Sequence, residues 1–184
     1  MTGIRDGIDP YSQAFTTRRN RLGRALWAVT WLLLCRFSPR PMHAWRALVL
    51  RCFGAKLGRK VHVYPGAVIW APWNLEMGDH ACLASDVNCY SMARVVIGAR
   101  AIVSQGAHLC TGTHDYASDN FQLYALPIII EENAWICAEA FIGPGVVVHQ
   151  GAVIGARSVV TRSMPAGMVC AGSPCRPIKR RWEF

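Results

Sequence analysis

Apolar residues return every six positions through most of this chain. Ile130, Ile136, Ile142, Val148, Ile154 and Val160 fall in strict register, and four places after each of the first five stands Ala134, Ala140, Val146, Ala152 or Ser158. The same beat runs earlier through Leu57, Val63 and Ile69, then Met77, Leu83 and Cys89, then Ile97, Val103 and Leu109. A helix repeats near 3.6 and a half-buried strand repeats at two, so neither accounts for a period of six. The pattern predicts an all-β solenoid whose unit is one short strand and a turn. Three units close a triangular coil, and successive coils stack about 4.8 Å apart in parallel ladders. The large residue of each unit points inward, and the small residue four places on fits the corner. Two-residue slips, between Ile69 and Met77 and between Cys89 and Ile97, read as bulged corners and give about five coils. After His114 the beat stops until Ile130, which predicts a loop at 115–129 thrown out from the prism. A loop of that length without structure of its own is usually functional.

The first third has a different pattern. RRNRLGRALWAVTWLLLCRF is followed by the breaker SPRP and then MHAWRALVLRCF, which predicts two amphipathic helices. Leu22, Leu26, Val29 and Leu33 line one face of the first, broadened by Trp27, Trp31 and Leu34. That face has two readings, which are compatible. It lies across one end of the prism and covers open strand edges, or it is a basic amphipathic anchor for anionic lipid, spanning residues 18–53. The apolar run from Ala25 to Cys35 is too short to span a bilayer.

The chain of 184 residues therefore divides into a helical segment (1–56), a solenoid with its loop (57–163) and a basic tail (164–184). Net charge is +9, yet residues 1–60 hold twelve Lys and Arg against Asp6 and Asp9, and the rest of the chain is nearly balanced. Arginines interleaved with tryptophan and leucine, without a recognition motif, speak against nucleic acid. Eight cysteines without CxxC or regular spacing, several in repeat slots, read as core filler in a reducing compartment. With no cleavable leader visible at the N-terminus, the expected location is the cytoplasm, including the inner face of the plasma membrane.

The repeats, the loop after CTGTHD, the ENAWICAEAFIGPGVVV run and the closing GARSVV and AGSPCRPIKR segments resemble the hexapeptide-repeat O-acetyltransferases. Within them the chain is most similar to the colanic acid biosynthesis acetyltransferases, and more distantly to the galactoside, maltose and nodulation-factor enzymes. The resemblance implies a left-handed parallel β-helix, a homotrimer with active sites between neighbouring prisms, and acetyl-CoA as donor. It also implies a sugar or glycan acceptor.

Acetyl transfer to a hydroxyl needs a base for the hydroxyl proton and donors for the developing oxyanion. By resemblance His114, in the THD segment, is the catalytic histidine. Asn88 matches an acceptor-binding asparagine, and Asp86 and Asp115 are candidates either to orient the imidazole or to hold acceptor hydroxyls. On the donor side Trp135, Ala138, Ala156, Thr161, Arg162, Arg176 and Lys179 match the positions that meet coenzyme A. The family's serine after Trp-Ile-Gly is absent, since the chain reads WICA here, so backbone N–H groups would have to support the oxyanion. His62, His80, His108 and His149 read as corner or surface residues, and the spacing of His108 and His114 does not suit a metal. Alternatives of other classes are an acetyltransferase for serine or a small xenobiotic, and a non-catalytic hexapeptide scaffold.

Overall fold

The computed structural model describes residues 15–182, so the first fourteen residues of the 1–56 segment lie outside it. Its strands wind into a three-sided parallel prism. The first coil is β1 (Lys56–Leu57), β2 (His62–Val63) and β3 (Val68–Ile69), and the second is β4 (Leu75–Met77), β5 (Cys82–Leu83) and β6 (Asn88–Tyr90). The third is β7 (Val95–Ile97), β8 (Ile102–Val103) and β9 (His108–Cys110). An antiparallel hairpin, β10 (Gly112–His114) with β11 (Leu123–Ala125), then interrupts the winding. The fourth coil is β12 (Ile128–Ile130), β13 (Trp135–Ile136) and β14 (Phe141–Ile142), and the fifth is β15 (Val147–Val148), β16 (Val153–Ile154) and β17 (Val159–Val160). The first strands of the coils stack as side one and the third strands as side three. Side two holds the second strands and continues through β18 (Met168–Gly172) to β19 (Cys175–Arg180).

Ladder partners measure the beat directly. Lys56 stands beside Glu76 and Leu75 beside Val95, twenty positions apart. Ile129 stands beside Val147, eighteen apart, where the six-residue repeat is unbroken. The two extra residues of the early coils sit in the corners: a short 3-10 turn at Pro72–Asn74 and the 91–94 corner. Every large repeat residue from Ile130 to Val160 is 0% exposed, and the corner residues Ala134, Ala140, Val146, Ala152 and Ser158 are at most 1%. Each buried Ile or Val adds roughly 1.5–3 kcal/mol relative to exposure, so the ladders form the core with no helix inside it.

Three expectations need adjusting. Stacking runs on past residue 163: Met164 bridges to Val148 and Val169 stands beside Val153, so the 164–184 tail supplies a sixth, partial turn. The 115–129 loop is narrower than its sequence suggests, because residues 123–125 pair with β10 and Ile128 and Ile129 already belong to β12. Antiparallel pairing lets the chain return beside its point of departure and re-enter side one in register. The third adjustment concerns α1 (Arg18–Leu34), which packs by the tryptophan flank of the expected face and leaves its leucine part outward. Trp27 and Trp31 are buried, while Leu22, Leu26, Val29 and Leu33 are more than half exposed.

The helices nevertheless close the end of the prism. N–H groups of each coil donate to carbonyls of the next, as from His62 to Ala81, so the first coil's own carbonyls have no coil below them. Trp27 Nε1 donates to Ile69 O, and Arg46 Nε and the His43 ring, both from α2 (His43–Cys52), reach Val63 O. Arg51 donates to the carbonyls of Leu57 and Gly58. Open strand edges are thereby paired with side chains. No helix among the described residues is long and apolar enough to cross a membrane.

Candidate active site

Gly112 opens the hairpin at the corner where side three ends. A Cβ there would lie 2.6 Å from Met92 Sδ and 3.0 Å from the Tyr90 ring, so a larger residue would have to displace these side chains or the strand. His114 closes β10 opposite Leu123, and its Nδ1 lies 2.6 Å from Phe121 O. A carbonyl only accepts, so Nδ1 carries the proton of this hydrogen bond and the neutral ring is the tautomer with its lone pair on Nε2. The carbonyl is presented by Phe121, which holds φ at +46°, with its N–H on Ser118 O. Asp115 serves the turn: its carboxylate accepts from Ala117 N–H and its carbonyl from Ser118 Oγ. The imidazole is thus oriented by backbone, a partner no side-chain motif advertises.

Asn88 is exposed on the outer face of side three, and its ladder neighbours are Val68 below and His108 above. Asp86 occupies the preceding corner at φ +61°, with Arg36 of the α1–α2 connection 4.0 Å away. His108 is not a corner residue. It is half-buried in β9, edge-on to Phe141 with ring centroids 5.5 Å apart, and burial pushes its pKa down, so it stays neutral. The signal was available: His108 precedes Leu109 as Asn88 precedes Cys89, the outward slot of the same side. His62 is likewise a strand residue, stacked on His43 at 4.8 Å. His80 and His149 do sit at corners, His149 beside Glu131. His114 itself stands on the hairpin, off the triangle.

The donor-side candidates fall elsewhere. Trp135 is 43% exposed on side two, and its Nε1 donates to Ser104 Oγ at 2.9 Å. Along that side Trp135 stands beside Val153, Val153 beside Val169, and Val169 beside Lys179. Trp135 and Lys179 therefore share one outer face, three strand spacings or roughly 14 Å apart. Arg176 pairs with Ala171 in the same hairpin, its side chain turned back to the Cys175 carbonyl. Ala138 and Ala156 occupy equivalent corners of successive coils after side two, and the Ala138 carbonyl accepts from Arg157 N–H. Thr161 and Arg162 are exposed just beyond β17. Going round the triangle, the hairpin projects from the corner between sides three and one, opposite side two. One protomer thus sets Asp86 and Asn88 where side three begins and the hairpin with His114 where that side ends, and carries Trp135, Lys179 and Arg176 separately on side two. Among the described residues no three His, Cys, Asp or Glu gather as a metal site.

Known proteins resemble this chain in sequence and in fold. Residues 127–162, where the repeat is strictest, match the family described as "Bacterial transferase hexapeptide (six repeats)". The chain is 42% identical over 164 residues, 89% of its length and 90% of the relative's, to the "Putative colanic acid biosynthesis acetyltransferase WcaF" of Escherichia coli K12. Among solved structures, a galactoside acetyltransferase in complex with coenzyme A superposes with a TM-score of 0.75 at 25% identity, covering 94% of this chain and 88% of that one. A maltose O-acetyltransferase from Clostridium difficile 630 gives 0.81 at 24% identity, covering 91% and 90%.

Proposed function

The chain belongs to the hexapeptide-repeat acetyltransferase family, and we propose that it moves an acetyl group from acetyl-CoA to a hydroxyl of a sugar destined for exopolysaccharide or another surface glycan. The observation that carries the reading is His114 with Nδ1–H bound to the Phe121 carbonyl and Nε2 left basic. Nε2 takes the proton of the acceptor hydroxyl as its oxygen attacks the thioester carbonyl. The tetrahedral oxyanion meets backbone N–H groups, since WICA offers no serine. Its collapse breaks the C–S bond, and the imidazolium returns the proton to the departing thiolate, so no acyl-enzyme forms. Asn88, with an amide that both donates and accepts, holds a neighbouring hydroxyl, with Asp86 beside it. Asp115, committed to the turn, acts on the hairpin's shape.

Coenzyme A lies along side two, its thioester end at Trp135 and its phosphates near Arg176 and Lys179, with Ala138, Ala156, Thr161 and Arg162 bordering the groove. Because side two faces away from the hairpin of its own chain, the donor and the imidazole meet only between protomers. That supports a closed homotrimer with three shared sites. The exposed leucine face of α1 supports attachment of residues 18–53 to the inner surface of the plasma membrane. The described imidazole geometry favours catalysis over a scaffold role.

Free-thiol release from acetyl-CoA, with a panel of soluble saccharides, tests the reading. His114→Ala should lower kcat by roughly 10²–10⁴-fold while coenzyme A still binds. Turnover unchanged in that variant removes the catalytic assignment. Turnover with serine but with no saccharide moves the acceptor to another class.

A further inference from the structure

Between α1 and the first coil runs a groove of about 430 Å³, within the range of small-ligand sites. Its floor is Ala67, Val68 and Ile69, and its roof is Trp27, Ala28, Trp31 and Leu32 of α1. Nothing on that lining is acidic. Arg24 stands at one end, its guanidinium 4.2 Å from the Trp70 ring centroid, and Arg36 stands at the other. Val68 is 57% exposed and Leu32 52%, so the trough is open along its length. Trp31, 8% exposed, has no described partner for its indole N–H.

The groove's position is more telling than its lining. Val68 is the ladder neighbour of Asn88, and Asn88 of His108, so groove and candidate acceptor residue follow one another up side three to β9, the strand from whose far end the hairpin leaves. From Val68 to His108 is two strand spacings, roughly 10 Å, the scale of a one- or two-sugar headgroup. On α1 the lining includes Ala28 and the half-exposed Leu32. The whole of 10–75 contains no Asp or Glu and eleven Lys or Arg. An apolar trough with Arg24 at one end, and Arg36 beside the Asp86 carboxylate at the other, suits an anionic amphiphile, the apolar part lying on Val68 and the tryptophans and the phosphate beside Arg24.

We propose that this groove holds the phosphate and the first apolar segment of a lipid-linked saccharide, the sugar extending along side three toward Asn88 and His114. The proposal rests on the sugar acetyltransferase reading, and names its acceptor as a lipid-phosphate conjugate that presents its glycan from the bilayer.

The test uses ω-bromododecyl phosphate, whose bromine quenches tryptophan on contact, with the full chain. Saturable quenching is expected below the micelle threshold, weakened about tenfold by Val68→Glu or Arg24→Gln, with inorganic phosphate failing to compete. No quenching of the parent protein, or equal quenching in both variants, overturns the proposal. So does equal quenching by a bromododecyl maltoside, which would show a chain-binding trough without phosphate preference. Attachment to phosphatidylglycerol vesicles without quenching by the alkyl phosphate would assign this region to the bilayer surface instead. A change of sedimenting mass in Ala28→Phe or Val68→Glu would mean that a second copy covers the groove. Absence of thiol release with every acceptor would sink the enzyme reading while leaving the quenching result standing, so the two failures are distinguishable.

Discussion

Arg46 is fully buried and is held almost wholly by oxygen atoms of the backbone. Nε donates to Val63 O at 2.6 Å, Nη1 to Pro39 O and Ser38 Oγ, and Nη2 to Arg40 O. One guanidinium therefore ties the α1–α2 connection to the open edge of the first coil, and no carboxylate shares its burial. Hydrogen bonds to a charged group contribute about 1.5–3 kcal/mol each, and carbonyls left unpaired add their own cost. Arg46→Met should lower unfolding stability by about 3 kcal/mol or more, read as the urea midpoint. The solenoid's kcat on a soluble acceptor should persist at temperatures where the fold survives. Sequence offered only a basic residue on a helix that reads as amphipathic, and burial of an arginine by carbonyls leaves no periodic trace. The opposite holds for Ile136 or Val148, whose inward direction follows from the beat alone.

At the scale of elements, the prism sides followed from the repeat because each strand is fixed by one inward residue and one small corner residue. The hairpin did not, since it makes no use of the period, and its fold depends on antiparallel pairing from Gly112 to Ala125. Gly112→Ala would drive a Cβ against buried Met92 and the half-buried Tyr90 ring, so these side chains or β10 must shift. We expect kcat to fall more than about tenfold, with partial recovery in the Gly112→Ala/Met92→Ala pair, a recovery that general destabilisation would not give. Side one carries an electrostatic stitch as well. Glu76 of the second coil accepts from Lys56 of the first at 3.0 Å and from Arg94 at the foot of the third. The hydrogen bond from Arg94 leads the causes that hold its carboxyl below the ordinary range, against a burial that works the other way. A depressed carboxylate stabilises fully above its unfolded value, near pH 4.3, and the gain is lost as pH falls through the folded value. Glu76→Gln should therefore lower Tm by about 2–4 °C at pH 7, equivalent to about 1 kcal/mol. The gap should close in melts near pH 3.

For the whole molecule, the decisive fact is angular. The hairpin with His114 leaves one corner of the triangle, and the face shared by Trp135 and Lys179 is the side opposite. Periodicity alone sets Trp135 on side two, but neither Lys179, which an antiparallel strand beyond the repeat brings there, nor the corner from which the sheet-breaking hairpin emerges. A site divided in this way has a consequence that a self-contained site lacks. In a closed trimer each imidazole would work with the side-two face of a neighbour. Chains carrying His114→Ala still provide an intact donor face, and chains carrying Trp135→Ala with Lys179→Ala still provide an intact imidazole. Each variant alone should be nearly inactive. Co-expressed in equal amounts, the two should regain about one quarter of parental thiol release, the share of interfaces that random assortment makes wild type on both sides. Recovery should depend on mixing within the oligomer, so combining the two purified proteins without subunit exchange should give none. If co-expression recovers nothing although mixed oligomers are present by mass, donor and base lie in one chain and the divided site is wrong.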